Sequence, residues 1–552
     1  MTGTTRLPPL VSQLRVLMVM QYPGYLRYFD GVVRGLADNG HELFLAFESP
    51  RKQSEGMEAV DPRVKVLDVP LKRGDSWAEL ARDFRGTLDY VHYLHPDFAD
   101  AEYLRRRWAA EFLPAAFRWL TRIRSVRPGA VAALVAAGKA LERAIPPSPQ
   151  MDDLIRSVRP DLVVVSPLIT TPTQTDLIKA ARLHGIPNVV CVASWDHLTT
   201  KGVVRAEPDR AIVWNEAQRA EAGRYHGLAA EKLIVTGAQP FDRWFERTPS
   251  ARAEFCARVG LAPEKPFVLF TGSTASISAP ELERKFVRAW ISALRSSADA
   301  VVRELAVMVR PHPYNSAHWS EADVADLDDV VLWPRAGANP VNENDRSDYF
   351  DSLHHSAAVV GINTSAMIEA AIVGTPVLTI RAAEFSDTQA GTLHFHYLLP
   401  ENGGFLRVAH GLDEHVAQLS QVLGGPEVVA AQIRSFVSSF VRPHGLEEPA
   451  TPRVVAALEQ VAAETPSPEI VPTPLRVIRV VLLRPIALAA QLQNSKRRAR
   501  LRKRLRRQVR RRVHRGRKRV RGLIEAASGS GVQHNGRHDA GALVASNTEE
   551  ER

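Results

Sequence analysis

The feature that most constrains this chain is a repeated alternation of short apolar runs with amphipathic helical stretches. The first run, residues 14–20 (LRVLMVM), is followed by a helical pattern from 26 to about 38 and by a second apolar run at 42–47. Gly40 stands just past the last periodic residue, a position typical of a helix C-terminus. A strand, a helix and a strand in close succession form a βαβ unit, which predicts a parallel sheet.

The alternation continues in two series along the chain. Strands that are apolar throughout and alternate with helices predict sheets that are covered on both faces. The sequence therefore predicts an α/β fold with two Rossmann-like, doubly wound lobes. The runs of the first series are residues 161–166, 188–193, 211–214 and 232–236, and those of the second are 267–271, 305–309, 330–333, 357–361 and 376–380.

A chain of 552 residues exceeds what one hydrophobic core usually organises. We predict an N-terminal lobe over 1–247, with a helical insertion at about 74–150, and a C-terminal lobe over 248–445. Residues 446–552 are predicted to be a Pro/Glu-rich linker and a basic tail. Two interpretations of the insertion stay open: packing against the first lobe, or a groove for an acceptor or a membrane.

The formal net charge of +10 is concentrated in one segment. Residues 496–521 hold 17 Lys or Arg and no Asp or Glu, and without these 17 the chain has 54 basic against 61 acidic residues. Apolar side chains recur there every four positions, which predicts a basic amphipathic helix and favours contact of residues 471–521 with an anionic membrane surface. A solvated, disordered tail is the alternative. The recurring residues are Leu501, Leu505, Val509 and Val513.

Composition also limits the compartment. The two cysteines, Cys191 and Cys256, exclude a disulfide framework and a four-cysteine zinc site. The N-terminus lacks a basic start followed by a long apolar run, so we expect no signal peptide. Three arginines and Pro485 interrupt the apolar stretch 471–490, which argues against a transmembrane helix. We predict a cytoplasmic protein, with or without peripheral association at the inner face of the plasma membrane.

Open parallel sheets bind ligands at the carboxyl ends of their strands, so the loops that leave the predicted strands are the candidate sites. Gly272, Ser273 and Thr274 follow the strand 267–271. Glycine lets backbone amides approach a phosphate closely, and small hydroxyls add hydrogen-bond donors. This pattern predicts part of a nucleotide site, and a plain turn is the alternative.

Arg310 and His312 lie at the end of the next strand, within VRPHP. The two prolines fix the backbone, so both side chains are held in definite directions. Arginine suits forked recognition of phosphate, and histidine can donate to a phosphate or a base. The alternative for Arg310 is a buried structural pair with a carboxylate.

Asn363, Thr364 and Ser365 follow the strand 357–361 and open a helix. A helix N-terminus offers free amides and about half a unit of positive charge, which suits a diphosphate. Glu369 lies one turn inside and is placed to accept from ribose hydroxyls. Alternatively, Thr364 or Ser365 is an ordinary N-cap and Glu369 a surface residue.

Asp196 and His197 follow the strand 188–193 in the first half. A transferase needs a carboxylate or an imidazole within hydrogen-bond reach of the attacking hydroxyl, so both are candidate catalytic bases. Alternatively, Asp196 locks its loop and His197 is a satisfied histidine. The segment QPFDRWF, residues 239–245, is predicted near the crossing between the lobes.

At these residues the sequence resembles the GT-B nucleotide-sugar transferases, particularly the surface-polysaccharide and CDP-glycerol glycerophosphotransferase-like group. The resemblance spans roughly residues 14–445. It rests on WDHLTTKG at 195–202, VRPHP at 309–313 and GINTSAMIEAAIVGTPVLT at 361–379. It implies that the second lobe holds the nucleotide and diphosphate, that the first holds the acceptor, and that no bound metal or cofactor is needed.

The expected function is transfer of a sugar from a nucleotide-activated donor to a hydroxyl of a cell-envelope polysaccharide or lipid-linked acceptor. Glycerophosphotransferases of the group show an Asp-Tyr-Ser-Ser-like stretch where this chain has residues 362–365 (INTS), which favours a sugar over glycerol phosphate. Glycerophosphate polymer synthesis and a non-hydrolysing sugar-nucleotide epimerase remain alternatives. Nucleic-acid binding through the arginine-rich tail is a further alternative that the acidic body disfavours.

Overall fold

The structure is a computed structural model that describes residues 13–48, 60–68, 72–166, 172–334, 343–425 and 427–494. Seven strands of the first half form a parallel sheet. They are β1 (Arg15–Met20), β2 (Glu42–Phe47), β3 (Lys65–Leu67), β4 (Leu162–Val165), β5 (Asn188–Cys191), β6 (Arg210–Val213) and β7 (Leu233–Val235). Their order is β3-β2-β1-β4-β5-β6-β7, so the sheet grows in opposite directions from β1 and β4.

Six strands of the second half form another parallel sheet. They are β8 (Phe267–Thr271), β9 (Ala306–Arg310), β10 (Val330–Leu332), β11 (Ala358–Gly361), β12 (Val377–Ile380) and β13 (Arg407–Ala409). The order β10-β9-β8-β11-β12-β13 repeats that of the first sheet, with the change of direction between β8 and β11. Both sheets have the strand order of dinucleotide-binding folds. The prediction of two doubly wound lobes in the GT-B arrangement is confirmed.

Helices cover both faces of the sheets, which is why the central strands are apolar throughout. In the first half they are α1 (Asp30–Asp38), α2 (Ala78–His92), α3 (Glu102–Glu111), α4 (Pro128–Glu142), α5 (Pro149–Val158), α6 (Pro172–Leu183), α7 (His197–Thr200), α8 (Glu216–His226) and α9 (Asp242–Glu246). In the second half they are α10 (Arg252–Val259), α11 (Pro280–Arg295), α12 (Ala300–Arg303), α13 (Glu343–His354), α14 (Ala366–Ile372), α15 (Leu412–Gly424) and α16 (Glu427–Phe436). The chain continues with α17 (Ala450–Ala462) and α18 (Thr473–Ile478).

The helical insertion between β3 and α5 contains α2, α3, α4 and a 3-10 helix at Ala115–Arg122. It has a core of its own, in which Tyr93, Phe98 and Trp108 are buried. Arg85 of α2 forms buried ion pairs with Glu142 of α4 and with Asp176 of α6. The insertion therefore packs against the first lobe.

Two strands, β3 and β13, are not predicted by the sequence patterns. Each has three residues at the edge of its sheet and is only partly covered, so no continuous apolar run marks it. The other eleven strands coincide with predicted runs to within two residues at either end.

The structure corrects the prediction that residues 446–552 are all linker and tail. Helix α17 packs against α1 and buries Val454, Leu458 and Val461 in the core beside the first sheet. These residues recur at helical spacing, but the Pro/Glu-rich flanks concealed the helix. The chain thus returns from the second lobe to the first.

Two local features fix α17 against α1. Asp242 of α9 accepts from the backbone N–H of Ala450 (3.0 Å) and of Thr451 (2.6 Å), and so satisfies two amides at the start of α17. Gly35 allows the two helices to approach closely, because a Cβ there would lie 2.9 Å from Cγ2 of Val455.

Residues up to Leu488 belong to one compact unit that contains both sheets. The predicted basic amphipathic helix at 501–513 lies outside the described residues. Among the helices of the described ranges, none is long and apolar enough to cross a membrane.

Candidate active site

One cavity is lined by the carboxyl ends of strands from both sheets. Its walls come from the segments that leave β1, β5, β8, β9 and β11, together with α9 and α13. These are the ends at which doubly wound sheets bind ligands. Five of the described lining residues are arginines and eight are aromatic. They are Arg27, Arg243, Arg247, Arg310 and Arg346, and Tyr28, Trp195, Trp214, Phe241, Trp244, Tyr314, Tyr349 and Phe350.

Arg310, the last residue of β9, is the most unusual charge of this cavity. Its side chain is buried, with 6% of the residue exposed, and its guanidinium lies 4.8 Å from the ring centre of Tyr349. Among the described residues, none offers a hydrogen bond to its buried Nη1 or a carboxylate at ion-pair distance. Burial lowers the pKa of Arg310 to about 10, which still leaves it charged at neutral pH. A buried cation without a counter-charge is costly unless an anion binds.

The other arginines come from both lobes, and carboxylates outside the lining pair with three of them: Glu343 lies 2.6 Å from Nη2 of Arg247, and Asp30 pairs with the other two. Asp30 accepts from Nη1 of Arg243 at 3.3 Å and lies 3.6 Å from Nη2 of Arg346. Nη2 of Arg243 also donates to the backbone carbonyl of Arg27 at 3.2 Å. Of the described lining residues, Glu369 is the one carboxylate. The cavity is therefore strongly positive.

Glu369, in α14, faces these arginines. Its carboxylate accepts a short hydrogen bond from the hydroxyl of Tyr349. Burial raises the pKa of Glu369, and the bond from Tyr349 and the charges of Arg243, Arg27 and Arg310 offset only part of that effect. The prediction that Glu369 is only a surface helix residue is wrong, because it lines the cavity.

His312 lines the same wall as Arg310, two residues beyond the strand. Its Nδ1 accepts from the backbone N–H of Tyr314 at 3.2 Å, so in the neutral ring the proton sits on Nε2. Burial, followed by the charge of Arg27, lowers the pKa of His312 to about 4. At neutral pH the ring is therefore an uncharged donor.

Of the loop after β8, only Gly272 reaches the cavity. A Cβ at Gly272 would lie 2.8 Å from the backbone nitrogen of His312, so glycine allows the two loops to pack closely. Ser273 is buried, and its N–H donates to Oε1 of Glu283 at 2.7 Å. The hydroxyl of Thr274 bonds to that of Ser276 at 2.7 Å. Ser273 and Thr274 thus serve the turn itself.

The loop after β11 divides in a similar way. Thr364 and Ser365 line the cavity at the start of α14, a helix of seven residues. The side chain of Asn363 is buried away from the cavity wall, and its Nδ2 donates to the carbonyl of Thr388 at 2.5 Å and to Oγ1 of Thr392 at 3.3 Å. Asn363 therefore holds the following loop in place.

Asp196 comes directly after the lining residues Ser194 and Trp195 but does not itself line the cavity. Its carboxylate accepts from the hydroxyls of Ser194 (2.5 Å) and Thr200 (2.8 Å). Burial raises the pKa of Asp196, but the charge of Lys201, the imidazoles of His197 and His394 and the hydrogen bond from Ser194 outweigh this and hold the pKa well below its usual range.

His197 is almost fully buried, with 2% exposed, and packs 6.4 Å from the ring of Tyr25. Its Nδ1 accepts from the backbone N–H of Ala193 at 3.4 Å. Burial lowers the pKa of His197 to about 4 despite the neighbouring Asp196. These contacts are those of a histidine that positions the loop.

The sequence analysis missed most of the arginines. Arg27 follows β1, and a search for basic residues after every predicted strand could have found it. Arg243 lies in the segment 239–245 that the sequence placed near the lobe crossing. Arg346 and Tyr349 lie within α13, where no local pattern distinguishes a cavity-lining residue from a solvated one.

In the part of the chain that the structure describes, no group of three or more His, Cys, Asp or Glu side chains is arranged to hold a metal ion.

No protein-family model and no curated protein match this chain. Among solved structures, the chain is similar to a putative UDP-N-acetylglucosamine 2-epimerase from Listeria monocytogenes, at 13% identity and a TM-score of 0.47, covering 83% of this chain and 100% of that one. It is similar to a glycosyltransferase from Rickettsia africae at 9% identity and a TM-score of 0.46 (82% and 100% covered). It is also similar to a variant of the wall teichoic acid polymerase TagF at 8% identity and a TM-score of 0.42 (82% and 90% covered). At these values the similarity carries no argument for a shared activity.

Proposed function

We propose that this chain is a glycosyltransferase that uses a nucleoside-diphosphate sugar and does not depend on a metal. The proposed acceptor is a hydroxyl of a cell-envelope polysaccharide or of a lipid-linked glycan. The observation that carries the proposal is Arg310, a buried cation that has no described carboxylate at ion-pair distance and shares its cavity with four further arginines. A diphosphate supplies the missing counter-charge, and the aromatic walls offer faces for a base or a sugar ring.

In this proposal the second lobe binds the donor. Nη1 of Arg310 and Nε2–H of His312 donate to the diphosphate beside Gly272, Thr364 and Ser365. Glu369, held by Tyr349, is placed at the ribose. Arg27 and Arg243 of the first lobe also line the cavity and add positive charge.

In the transfer step one bond to the anomeric carbon breaks and another forms. The bond from the anomeric carbon to the diphosphate oxygen breaks, and the nucleoside diphosphate leaves with the electron pair. The acceptor oxygen bonds to that carbon and gives its proton to the base. Negative charge grows on the leaving group, and preorganised donors such as Arg310 stabilise it by roughly 2–4 kcal/mol each.

Asp196, whose carboxylate accepts from the hydroxyl of the lining residue Ser194, is the proposed base and acts through that hydroxyl, with His197 holding its loop. A carboxylate with a lowered pKa is a weak base towards a free hydroxyl. It can take the proton only once the new carbon–oxygen bond has made the acceptor oxygen acidic.

Nucleotide binding tests the site. Titrating UDP, CDP, GDP and dTDP into the full chain by calorimetry should identify one preferred base. Arg310→Ala and Glu369→Ala should each weaken that nucleotide at least tenfold. Arg288→Ala is the matched control, because Arg288 is exposed on α11 and pairs with Asp326 outside the cavity. Equal affinity in wild type and both cavity variants would show that this cavity is not the nucleotide site.

Product analysis tests the reaction class. Incubation of the enzyme with the preferred nucleotide sugar and an acceptor preparation should yield glycosylated acceptor and free nucleoside diphosphate. A donor epimerised in the absence of acceptor would exclude transfer in favour of epimerisation. Turnover with CDP-glycerol, and with no sugar donor, would instead assign glycerophosphate transfer.

A further inference from the structure

Two stretches of the chain contain no acidic residue. Residues 112–141 carry four Arg and one Lys, and residues 470–524 include the 17 basic residues of the segment 496–521, with no Asp or Glu in either stretch. They are separated by more than 300 residues of a chain whose remainder is net acidic. Residues 470–488 of the second stretch belong to the compact unit that contains both sheets.

The structure brings these two stretches together. Residues 473–488 are helical, with a π-helical segment at Arg479–Leu483. Leu483 is buried with Ala144 and Ile145, which follow α4, and Leu475 and Ile478 pack against the same cluster. Nε of Arg479 donates to the carbonyl of Ala144 at 2.6 Å. One face of the 473–488 helix is therefore fixed to the insertion.

Both elements expose large apolar side chains to solvent. Trp119 is 56% exposed in the insertion, and Val481 is 70% exposed in the 473–488 helix. Among the described residues, most of the large exposed apolar side chains fall in these two stretches. Up to residue 488, the others are Phe117 and Leu134 in the first stretch, and Ile470, Val477, Val480, Leu482, Ile486 and Leu488 in the second. We call the exposed apolar residues of 117–134 and 477–488 the apolar face.

Arginines alternate with these residues on the same elements. Arg118 and Arg122 stand beside Phe117 and Trp119, and Arg484 stands between Leu482 and Ile486. Arg118, Arg122 and Arg484 are exposed and form no ion pair with any described residue. A solvent-exposed protein surface that is both apolar and cationic is complementary to a partner with an anionic surface and an apolar interior.

We infer that the apolar face docks on an anionic lipid bilayer, with its Trp, Phe, Val, Leu and Ile side chains at the level of the acyl-chain boundary and its arginines among the headgroups. Tryptophan and arginine are the side chains that suit that boundary. A protein partner would have to be uniformly acidic and apolar, whereas an anionic bilayer has both properties over any area. The helices lie on the bilayer rather than cross it, since none of those described is long and apolar enough to span it. This inference does not depend on the proposed transfer reaction.

Sedimentation with vesicles tests the inference on the full chain. Wild-type protein should bind vesicles of phosphatidylglycerol and phosphatidylcholine at least tenfold more tightly than pure phosphatidylcholine, and binding should fall as salt rises. Phe117→Ser with Trp119→Ser should reduce binding to the anionic vesicles at least fivefold, as should Val480→Ser with Val481→Ser and Leu482→Ser. The matched control is Val66→Ser with Val301→Ser, which removes exposed valines elsewhere and should change nothing.

Unchanged vesicle binding in both variants would overturn the inference and leave the segment 496–521 as the sole source of any attraction. A change of oligomeric state in the variants by sedimentation velocity, with vesicle binding intact, would assign the apolar face to a second copy of the chain. Tighter binding to RNA than to vesicles, lost in the same variants, would assign it to nucleic acid. Brominated phosphatidylglycerol should quench a fraction of tryptophan fluorescence that disappears in Trp119→Phe, and the absence of that fraction would also contradict docking.

Discussion

Two buried arginines of this chain have opposite surroundings. Arg85, in the insertion, is 1% exposed and bonds to two carboxylates: Nη2 lies 2.6 Å from Oε1 of Glu142 and 2.9 Å from Oδ1 of Asp176. Arg310, at the end of β9, is nearly as buried, but its guanidinium lies against the face of Tyr349, and no described carboxylate is at ion-pair distance from it. Burial lowers the pKa of both, yet the two carboxylates reverse this for Arg85, whose pKa is raised, whereas the pKa of Arg310 stays lowered.

The difference distinguishes an arginine that stabilises the fold, Arg85, from an arginine that is available to bind an anionic ligand, Arg310. A buried ion needs a partner: Arg85 has two carboxylates at ion-pair distance, whereas Arg310 has none at that distance among the described residues. The sequence alone gave the same residue type in both places, and its alternative reading of Arg310 as a structural pair with a carboxylate is wrong. The same substitution at the two positions should therefore have opposite effects on stability.

The largest expected effect is that of Arg85→Met. It leaves the buried carboxylates of Glu142 and Asp176 short of a counter-charge, so the free energy of unfolding should fall by about 3–5 kcal/mol. Urea denaturation followed by circular dichroism measures this. A loss below about 1 kcal/mol would mean that Arg73 and Lys179, the other cations of the network, suffice for both carboxylates.

Arg310→Met is the matched experiment. It removes a buried cation that has no carboxylate partner, so stability should be unchanged or slightly increased in the same denaturation. Nucleoside-diphosphate affinity should nevertheless fall by about 10–100-fold, corresponding to charge-assisted hydrogen bonds of roughly 1.5–3 kcal/mol. A loss of stability as large as that of Arg85→Met would show that Arg310 has a structural role and would remove the contrast.

The fold was largely predictable because its central strands are buried on both faces. Apolar runs such as FVLFT at β8 and ELFLAF at β2 alternate along the chain with amphipathic helices. This pattern is typical of strands in a parallel sheet that is buried on both faces. The strands β3 and β13 and the helix α17 escaped prediction because tertiary packing defines them. Val454 and Leu458 form part of a core only because the chain returns to α1, and no local sequence pattern predicts that return.

The candidate site was predictable only in part, for a related reason. Position after a strand identified six residues that the structure brings to one cavity: Gly272, Arg310, His312, Thr364, Ser365 and Glu369. It could not tell which side chain of a loop faces the cavity and which supports the loop. Ser273 and Asn363 have the chemistry of a phosphate site, but their hydrogen bonds go to Glu283 and Thr388. The arginines of the opposite wall depend on how the two lobes meet.

Glu283 extends the comparison to a buried carboxyl group, which can become neutral by binding a proton, whereas a buried arginine stays charged at neutral pH. It is fully buried, Oε1 accepts from Ser273, and Oε2 has no partner among the described residues. Burial raises the pKa of Glu283 to about 8, from 4.5, although the bond from Ser273 opposes this. The Glu283 carboxyl group therefore avoids a buried charge by binding a proton, whereas the charged Arg310 needs an anion.

The sign of the resulting pH dependence follows from the raised pKa. The folded state holds the proton more tightly than the unfolded state, so the contribution of Glu283 to stability is complete below about pH 4.5 and is lost as pH rises towards 8. Within that window the slope is about 1.4 kcal/mol per pH unit at most. Glu283→Gln keeps the acceptor for the N–H of Ser273 and should flatten the dependence of stability on pH. The free energy of unfolding of the variant relative to the wild type should therefore increase from pH 5 to pH 8. Parallel stability curves for the two proteins would contradict this.

The smallest expected effect concerns the paired arginines of the cavity. Asp30 lies 3.3 Å from Arg243 and 3.6 Å from Arg346, and its charge offsets part of their field. Asp30→Asn should therefore strengthen nucleoside-diphosphate binding by a few-fold, about 0.5–1 kcal/mol, at low ionic strength. The gain should shrink as salt is added, because these groups are partly exposed and salt screens them. Calorimetry at two salt concentrations measures both. Weaker binding in the variant would mean that Asp30 holds the two arginines in position for the diphosphate. In that case a carboxylate partner would not mark an arginine as structural, and the contrast between Arg85 and Arg310 would hold only for fully buried pairs.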